Sequence, residues 1–166
     1  IRGAQRPVVI AGGGAIYSEA SEALAAFTDA TGIPVLDTQA GKGALSADHP
    51  LCIGGVGATG NDAANTLAAE ADVVIGVGTR YTDFTTASHT AFRNPDVRFV
   101  NLNVKAFDAA KHSATMLVAD AREGLAALQA GLSDWQAPAA HGERARQLRA
   151  DWERLVEPCF QPHDQE

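Results

Sequence analysis

Short, unbroken apolar runs alternate along this chain with longer stretches in which apolar residues recur every three or four positions. Val8-Val9-Ile10-Ala11 is the first run and ends in Gly12-Gly13-Gly14, the pattern of a buried strand followed by a tight turn. Ala20, Leu24, Phe27 and Thr31 then fall on one helical stripe, with Ser18 placed to cap its start and Gly32 to stop it. Ile33-Pro34-Val35-Leu36 predicts a second strand, its proline at the strand start where it is tolerated. Thr38 to Pro50 reads as a polar, glycine-rich loop, and Leu51-Cys52-Ile53 as a weak third strand.

The second half repeats the alternation. Thr59 and Asp62 predict a capping box for a helix through Ala71 that turns Ala64, Leu67, Ala68 and Ala71 inward. Asp72 to Val77 is the clearest strand, and the long connection Gly78 to Asp96 has the length of a functional loop. Val97 to Leu102 and Met116-Leu117-Val118 predict two more strands. Asp120 and Glu123 form a second capping box ahead of a helix with Ala121, Leu125, Leu128 and Leu132 on one face. Six apolar strands separated by helices predict an α/β domain, with parallel strands, right-handed crossovers and helices on both faces. Residues 133–142 read as a linker. Glu143 to Glu157 reads as an amphipathic helix, with Ala145, Leu148, Trp152 and Leu155 as its stripe, docking on a domain outside this chain.

Composition narrows the class of protein. At 166 residues the chain is one domain long, and it buries roughly 70% of its unfolded surface. Apolar residues make up 46% and charged residues 20%, which is globular. Thirteen basic against twenty acidic residues leave a net charge of −7, which argues against a nucleic acid or anionic membrane as partner. No run reaches the roughly 18 apolar residues of a membrane span. Cys52 and Cys159 are the only cysteines, neither a disulfide framework nor a zinc site, and they fit a reduced, cytoplasmic protein. The opening Ile1-Arg2-Gly3 has no initiator methionine and no signal-like segment, so the chain reads as a piece of a longer protein.

Candidate chemistry concentrates in the glycine-rich turns. Gly12-Gly13-Gly14 lies between a strand and a helix, where a phosphate loop belongs, and a turn this tight commonly uses positive φ. The dinucleotide fingerprint is incomplete, because its third glycine position holds Tyr17, although Asp37 ends the second strand where a ribose-binding acid would lie. If the first and fourth strands are neighbours, the loops Gly12–Tyr17 and Gly78–Asp83 face each other across a ligand crevice. The amides after Gly12 would then converge with Arg80 on an anion. Arg80 either holds a phosphate or pairs with Asp83. The histidines at 49, 89, 112, 141 and 163 share no ligand spacing, and no catalytic acid–base or nucleophile signature appears. Neither a catalytic residue nor a metal ligand is therefore assigned. Trp135, Trp152, Phe84 and Phe92 read as packing residues.

Several stretches together resemble a known family, the central domain of thiamine-diphosphate-dependent enzymes. They are Ala11–Gly14 with Tyr17-Ser18, Gly32–Val35, Thr38–Gly43, Gly54–Gly60 with Ala64-Asn65, Gly76–Arg80 with Asp83–Thr86, Phe99–Asn103, and Phe107-Asp108 with Lys111-His112. Thr38–Leu45 and Asp83–Ser88 are most similar to the branch that hydrolyses a cyclic 1,2-dione in inositol catabolism. The resemblance covers residues 1–132, leaving 133–166 as linker and helix leading to a further domain. It implies a three-layer, Rossmann-like domain of the deoxyhypusine-synthase-like NAD/FAD-binding type. Its six-stranded parallel sheet would have the order 3-2-1-4-5-6.

The family's thiamine diphosphate and Mg²⁺ are held by other domains. The Gly-Asp-Gly motif that binds Mg²⁺ and diphosphate does not occur here. The implied partners are the flanking thiamine-binding domains of the same chain, in a homo-oligomeric (dimeric or tetrameric) parent. Some relatives hold FAD or ADP in the central domain. That makes Gly12, Gly13, Gly14, Thr38, Gln39, Gly41, Gly57, Gly60, Gly78, Arg80 and Asp83 the candidate nucleotide-binding residues. The alternatives are an FAD- or ADP-binding module of the acetohydroxyacid-synthase or electron-transfer-flavoprotein kind, or a self-sufficient NAD-dependent enzyme.

Overall fold

The computed structural model describes residues 1–160, and the histidine at 163 lies outside them. The six apolar runs form one parallel sheet: β1 (Pro7–Ala11), β2 (Val35–Asp37), β3 (Cys52–Gly55), β4 (Val73–Val77), β5 (Arg98–Asn103) and β6 (Thr115–Val118), in the order β3-β2-β1-β4-β5-β6. β1 is in register with β4 from Pro7↔Val73 to Ala11↔Val77 and with β2 from Val9↔Val35 to Ala11↔Asp37. The chain therefore reverses direction across the sheet between β1 and β4, and the crevice of a doubly wound fold opens at their carboxyl ends.

Both faces are covered, which is why the central strands are apolar without alternation. On one face Val9, Val35, Ile75, Val77 and Leu102 pack under α2 (Ser21–Thr31) and α6 (Ala121–Gly131), through Leu24, Phe27 and Leu125. On the other, Val8, Ile10, Leu36, Val74 and Phe99 pack under α3 (Asp62–Glu70) and α7 (Ala139–Val156), through Ala64, Leu67, Ala68 and Ala145.

Four local expectations are corrected. The helix expected from Ser18 to Thr31 begins only at Ser21, as α2, and a separate short helix, α1 (Gly13–Tyr17), precedes it. Ser18 ends α1 rather than starting α2, and Glu19 turns the chain with φ 49°. The cap of α3 is Asn61, whose side chain accepts the Ala64 N–H at 2.7 Å, not Thr59. Residues 139–142 belong to α7 rather than to a linker.

Finally, α7 docks on this domain itself. His141 is buried and its Nε2–H donates to the Pro7 carbonyl at 2.8 Å, so that nitrogen carries the proton. Arg144 forks onto the Glu70 carboxylate, holding it below the usual carboxylate range. Arg149 donates to the carbonyls of Ala47, His49 and Cys52, pinning the loop ahead of β3. Asp120 caps α6 as expected, accepting the N–H groups of Arg122 and Glu123. Among the described residues no helix is long and apolar enough to cross a membrane.

Candidate functional site

A cavity of about 660 Å³ opens at the carboxyl ends of β1, β2, β4 and β5. Gly12, Gly13, Gly14, Thr38, Gln39, Gly78 and Arg80 line it, as the sequence suggests. Gly41, Gly57, Gly60 and Asp83 do not. The three glycines instead let backbones touch. A Cβ on Gly41 would meet the Ala11 carbonyl at 2.0 Å, one on Gly57 the Phe84 carbonyl at 2.0 Å, and one on Gly60 the Gly55 carbonyl at 2.4 Å. Asp83 lies in the first turn of the short α4 (Asp83–Thr86). Among the described residues no ion pair joins it to Arg80.

The first turn is built for contact rather than for positive φ. Gly12 has φ −104°. A Cβ there would lie 2.4 Å from the Gly78 carbonyl oxygen, and one on Gly14 would lie 2.7 Å from the Gly78 Cα. The left-handed residue is Gly78 itself, with φ 59°. The same contact corrects the expected anion nest. The Gly12 N–H donates to Val77 O at 2.8 Å, the Gly14 N–H to Gly78 O at 3.0 Å and the Ala15 N–H to Gly12 O at 3.0 Å. The Gly12, Gly14 and Ala15 amides are thus consumed inside the fold, and the full positive charges of the crevice are on side chains.

Those side chains are Arg80 and Lys105, both exposed on the crevice wall and without an ion-pair partner among the described residues. Asn103 ends β5, Lys105 follows it and Asp108 lies in the short α5 (Ala106–Ala109), and sequence reasoning assigned none of the three to the site. The signal was available: in this strand order the loop after β5 lies beside the loop after β4. Asn103 Nδ2 donates to Thr79 O at 2.9 Å, and its Oδ1 accepts the Lys105 N–H at 3.0 Å. Lys111 bridges the same wall, pairing with Asp108 at 2.8 Å and donating to Arg80 O at 2.6 Å. Two residues earlier on β5, Asn101 accepts from the Tyr81 hydroxyl at 2.9 Å and donates to the carbonyls of Ala109 and Lys111. Burial pushes the Tyr81 hydroxyl far up, so it stays a donor. Gln39 donates to Thr59 at 3.1 Å, linking the loops after β2 and β3.

Two aromatic rings stand at the mouth. Tyr17 is 92% exposed and Phe84 62%, and both line the cavity. Phe84 is therefore not a packing residue. Phe92 is, with its ring edge-on to Tyr81 and Phe99. His112 stacks on Phe99 at 4.5 Å with His89 beside it at 5.9 Å, and its burial lowers its pKa. Asp37 ends β2 behind the crevice, outside its lining. Burial raises its pKa, and Lys42 only partly offsets this. Cys52 and Cys159 are unpaired.

A wound parallel sheet with a glycine-lined crevice at its switch point describes a class of nucleotide-binding-type domains rather than one protein. The matching family is more specific: the thiamine pyrophosphate enzyme central domain, matched over residues 1–128, and the chain belongs to it. Among curated proteins it is 54% identical over 128 residues to 3D-(3,5/4)-trihydroxycyclohexane-1,2-dione hydrolase 2 of Bacillus cereus, covering 77% of this chain and 20% of that protein. It is 45% identical over 157 residues to 3D-(3,5/4)-trihydroxycyclohexane-1,2-dione hydrolase of Geobacillus thermodenitrificans, covering 95% of this chain and 24% of that one. The chain thus spans a fifth to a quarter of the length of these relatives.

The residues described here do not fit thiamine diphosphate or its metal. Among them no three His, Cys, Asp or Glu side chains gather to hold an ion, and the two cations of the crevice have no paired carboxylates to hold Mg²⁺ between them and a diphosphate.

Proposed function

We propose that this chain is the non-catalytic middle domain of a longer, cytoplasmic, homo-oligomeric thiamine-diphosphate- and Mg²⁺-dependent enzyme. In this reading the whole protein hydrolyses a carbon–carbon bond of a cyclic 1,2-dione in inositol catabolism. The observation that carries this is the 45–54% identity, over 128 to 157 residues, to proteins bearing that hydrolase name. Thiamine diphosphate and Mg²⁺ belong to flanking domains of the same chain. This domain supplies scaffold and subunit contact and helps shape the active-site entrance.

Its crevice takes an adenine nucleotide, ADP or FAD, weakly. The support is its volume, the unpaired Arg80 and Lys105 for phosphate, and the exposed Tyr17 and Phe84 for a planar ring. Weakness follows from the backbone amides that Gly78 and Val77 already occupy.

The test has two arms. The full-length gene product, supplied with thiamine diphosphate and Mg²⁺, is expected to consume the trihydroxy dione, and the 166-residue chain alone to show no turnover. Titratable turnover by the chain alone would overturn the scaffold role, and an inert full-length enzyme would overturn the substrate. For the crevice, millimolar ADP or FAD should raise the melting temperature of the chain, and Arg80→Ala should shrink that rise. An unchanged rise in the variant would place the nucleotide elsewhere.

A further inference from the structure

Three successive residues of the loop after β4 are tied down from the β5 side. Asn103 Nδ2 donates to Thr79 O at 2.9 Å, Lys111 Nζ donates to Arg80 O at 2.6 Å, and the Tyr81 hydroxyl donates to Asn101 Oδ1 at 2.9 Å. The last two bonds belong to one closed ring. Asn101 Nδ2 donates to the Lys111 carbonyl at 3.0 Å, the Lys111 ammonium reaches Arg80 O, and the chain from Arg80 to Tyr81 leads back to Asn101. Asn101 and Tyr81 are buried. β4 makes room for them with Gly76, where a Cβ would lie 2.9 Å from Asn101 Oδ1.

The ring holds a backbone that does not hold itself. Gly78 has φ 59° and Tyr81 φ 48°, so left-handed residues bracket Thr79-Arg80. A tyrosine rarely adopts that region, and such residues persist where the contacts around them over-determine the backbone. Arg80 is exposed on the crevice wall, and no ion pair holds its guanidinium among the described residues. Its main chain is fixed while its charged end points at no protein partner.

Lys111 is the only charged member of the ring, and its donors are already engaged. An ammonium has three N–H groups. One goes to Arg80 O, another serves the Asp108 carboxylate at 2.8 Å, and the Phe107 ring lies 5.3 Å from the nitrogen. Asp108 itself lines the crevice. Without Lys111 its carboxylate would stand there unneutralised and repel an anion.

We infer that Lys111 is the positioning residue of an anion site in the crevice. It fixes the Arg80 main chain so that the guanidinium meets a phosphate group, and it neutralises Asp108 beside that group, without touching the phosphate itself. This rests on the reading above that the crevice takes a phosphate-bearing nucleotide.

The variant Asp108→Asn/Lys111→Met isolates the positioning, because it removes one charge of each sign and leaves Arg80 O without its donor. With no ligand present, 15N relaxation should show order parameters at Thr79–Tyr81 falling from about 0.85 toward the flexible range below about 0.6, while β1 and α6 keep theirs. Millimolar ADP should raise the melting temperature of this variant at most about half as much as that of the unaltered chain. Adding Arg80→Ala should leave only the rise of Arg80→Ala alone, since Lys111 acts through Arg80. Asp108→Asn by itself keeps the donor, removes a carboxylate from the crevice and should enlarge the rise. The inference is overturned by unchanged order at Thr79–Tyr81, by a full ADP rise in the double variant, or by a smaller rise in Asp108→Asn. Losses that add to those of Arg80→Ala overturn it too, because Lys111 then meets the anion itself. If ADP gives no rise in the unaltered chain, the nucleotide reading fails, and inorganic pyrophosphate titrated against the same variants decides the positioning role. No rise with pyrophosphate either would overturn both.

Discussion

Gly12, Gly14 and Gly78 bring two strand-to-helix turns within backbone contact, and any side chain on the first two must displace the third. Gly12→Ala should therefore destabilise the chain by about 1–3 kcal/mol, as overpacking does. Gly13→Ala should cost less, because its Cβ meets only the Ala40 methyl and carbonyl, at 3.2 Å. Urea midpoints of the two variants check this, and equal losses would mean that the turn is limited by flexibility rather than by contact. Asp37 makes the opposite kind of prediction. Its pKa is raised in the folded chain, mainly by burial. The folded state thus holds the proton more tightly than the unfolded state, whose value is about 3.9. Its contribution is favourable below that value and is lost as pH rises through the folded pKa. Asp37→Asn should raise the melting temperature at pH 7, and the gain should fade below about pH 4. A gain of the same size at both pH values would assign the effect to something other than charge.

The helices show where local pattern suffices and where it fails. Asp120 caps α6 in the position its spacing predicts, because a cap needs only its own next three residues. The α1–α2 boundary is not local in that sense. Ser18 Oγ accepts the Ala121 N–H, and the Ala20 N–H reaches back to Ala15 O, so contact with α6 sets the break. α7 is the clearest long-range element. Its Arg149 satisfies three loop carbonyls some hundred residues earlier in the chain. Arg149→Ala should lower stability by about 2 kcal/mol, the scale of charge-assisted hydrogen bonds lost from a partly buried site. Arg149→Lys should recover only part, since one ammonium cannot fork across three acceptors. Full recovery by lysine would show that the loop needs charge alone.

Across the whole molecule, His141 ties the last helix to the first strand, and acid should loosen the domain there. Burial lowers the pKa of His141, and of His112 in the aromatic cluster, below the ordinary value of about 6.5. The unfolded chain therefore takes up protons first as pH falls, so the stability these groups contribute is complete above that value and declines toward their folded pKa values. His141→Gln, which keeps a donor for Pro7 O, should lose less stability between about pH 7.5 and 5.5 than the unaltered chain. Parallel losses would clear His141 of the effect. Much of this architecture was legible in residue order alone. Uninterrupted apolar runs ending in glycine specify buried parallel strands, and their alternation with amphipathic stretches specifies two covered faces. The crevice was legible where its residues follow strand ends, as Gly12, Thr38 and Arg80 do. Tertiary structure alone decided that the Gly12 and Gly14 amides are spent on Val77 and Gly78, that Gly41, Gly57 and Gly60 serve backbone contact, that Lys105 and Asn103 complete the wall, and that α7 folds back on this sheet. Each of those depends on groups distant in sequence meeting at contact range, and periodicity along a chain carries no record of such meetings.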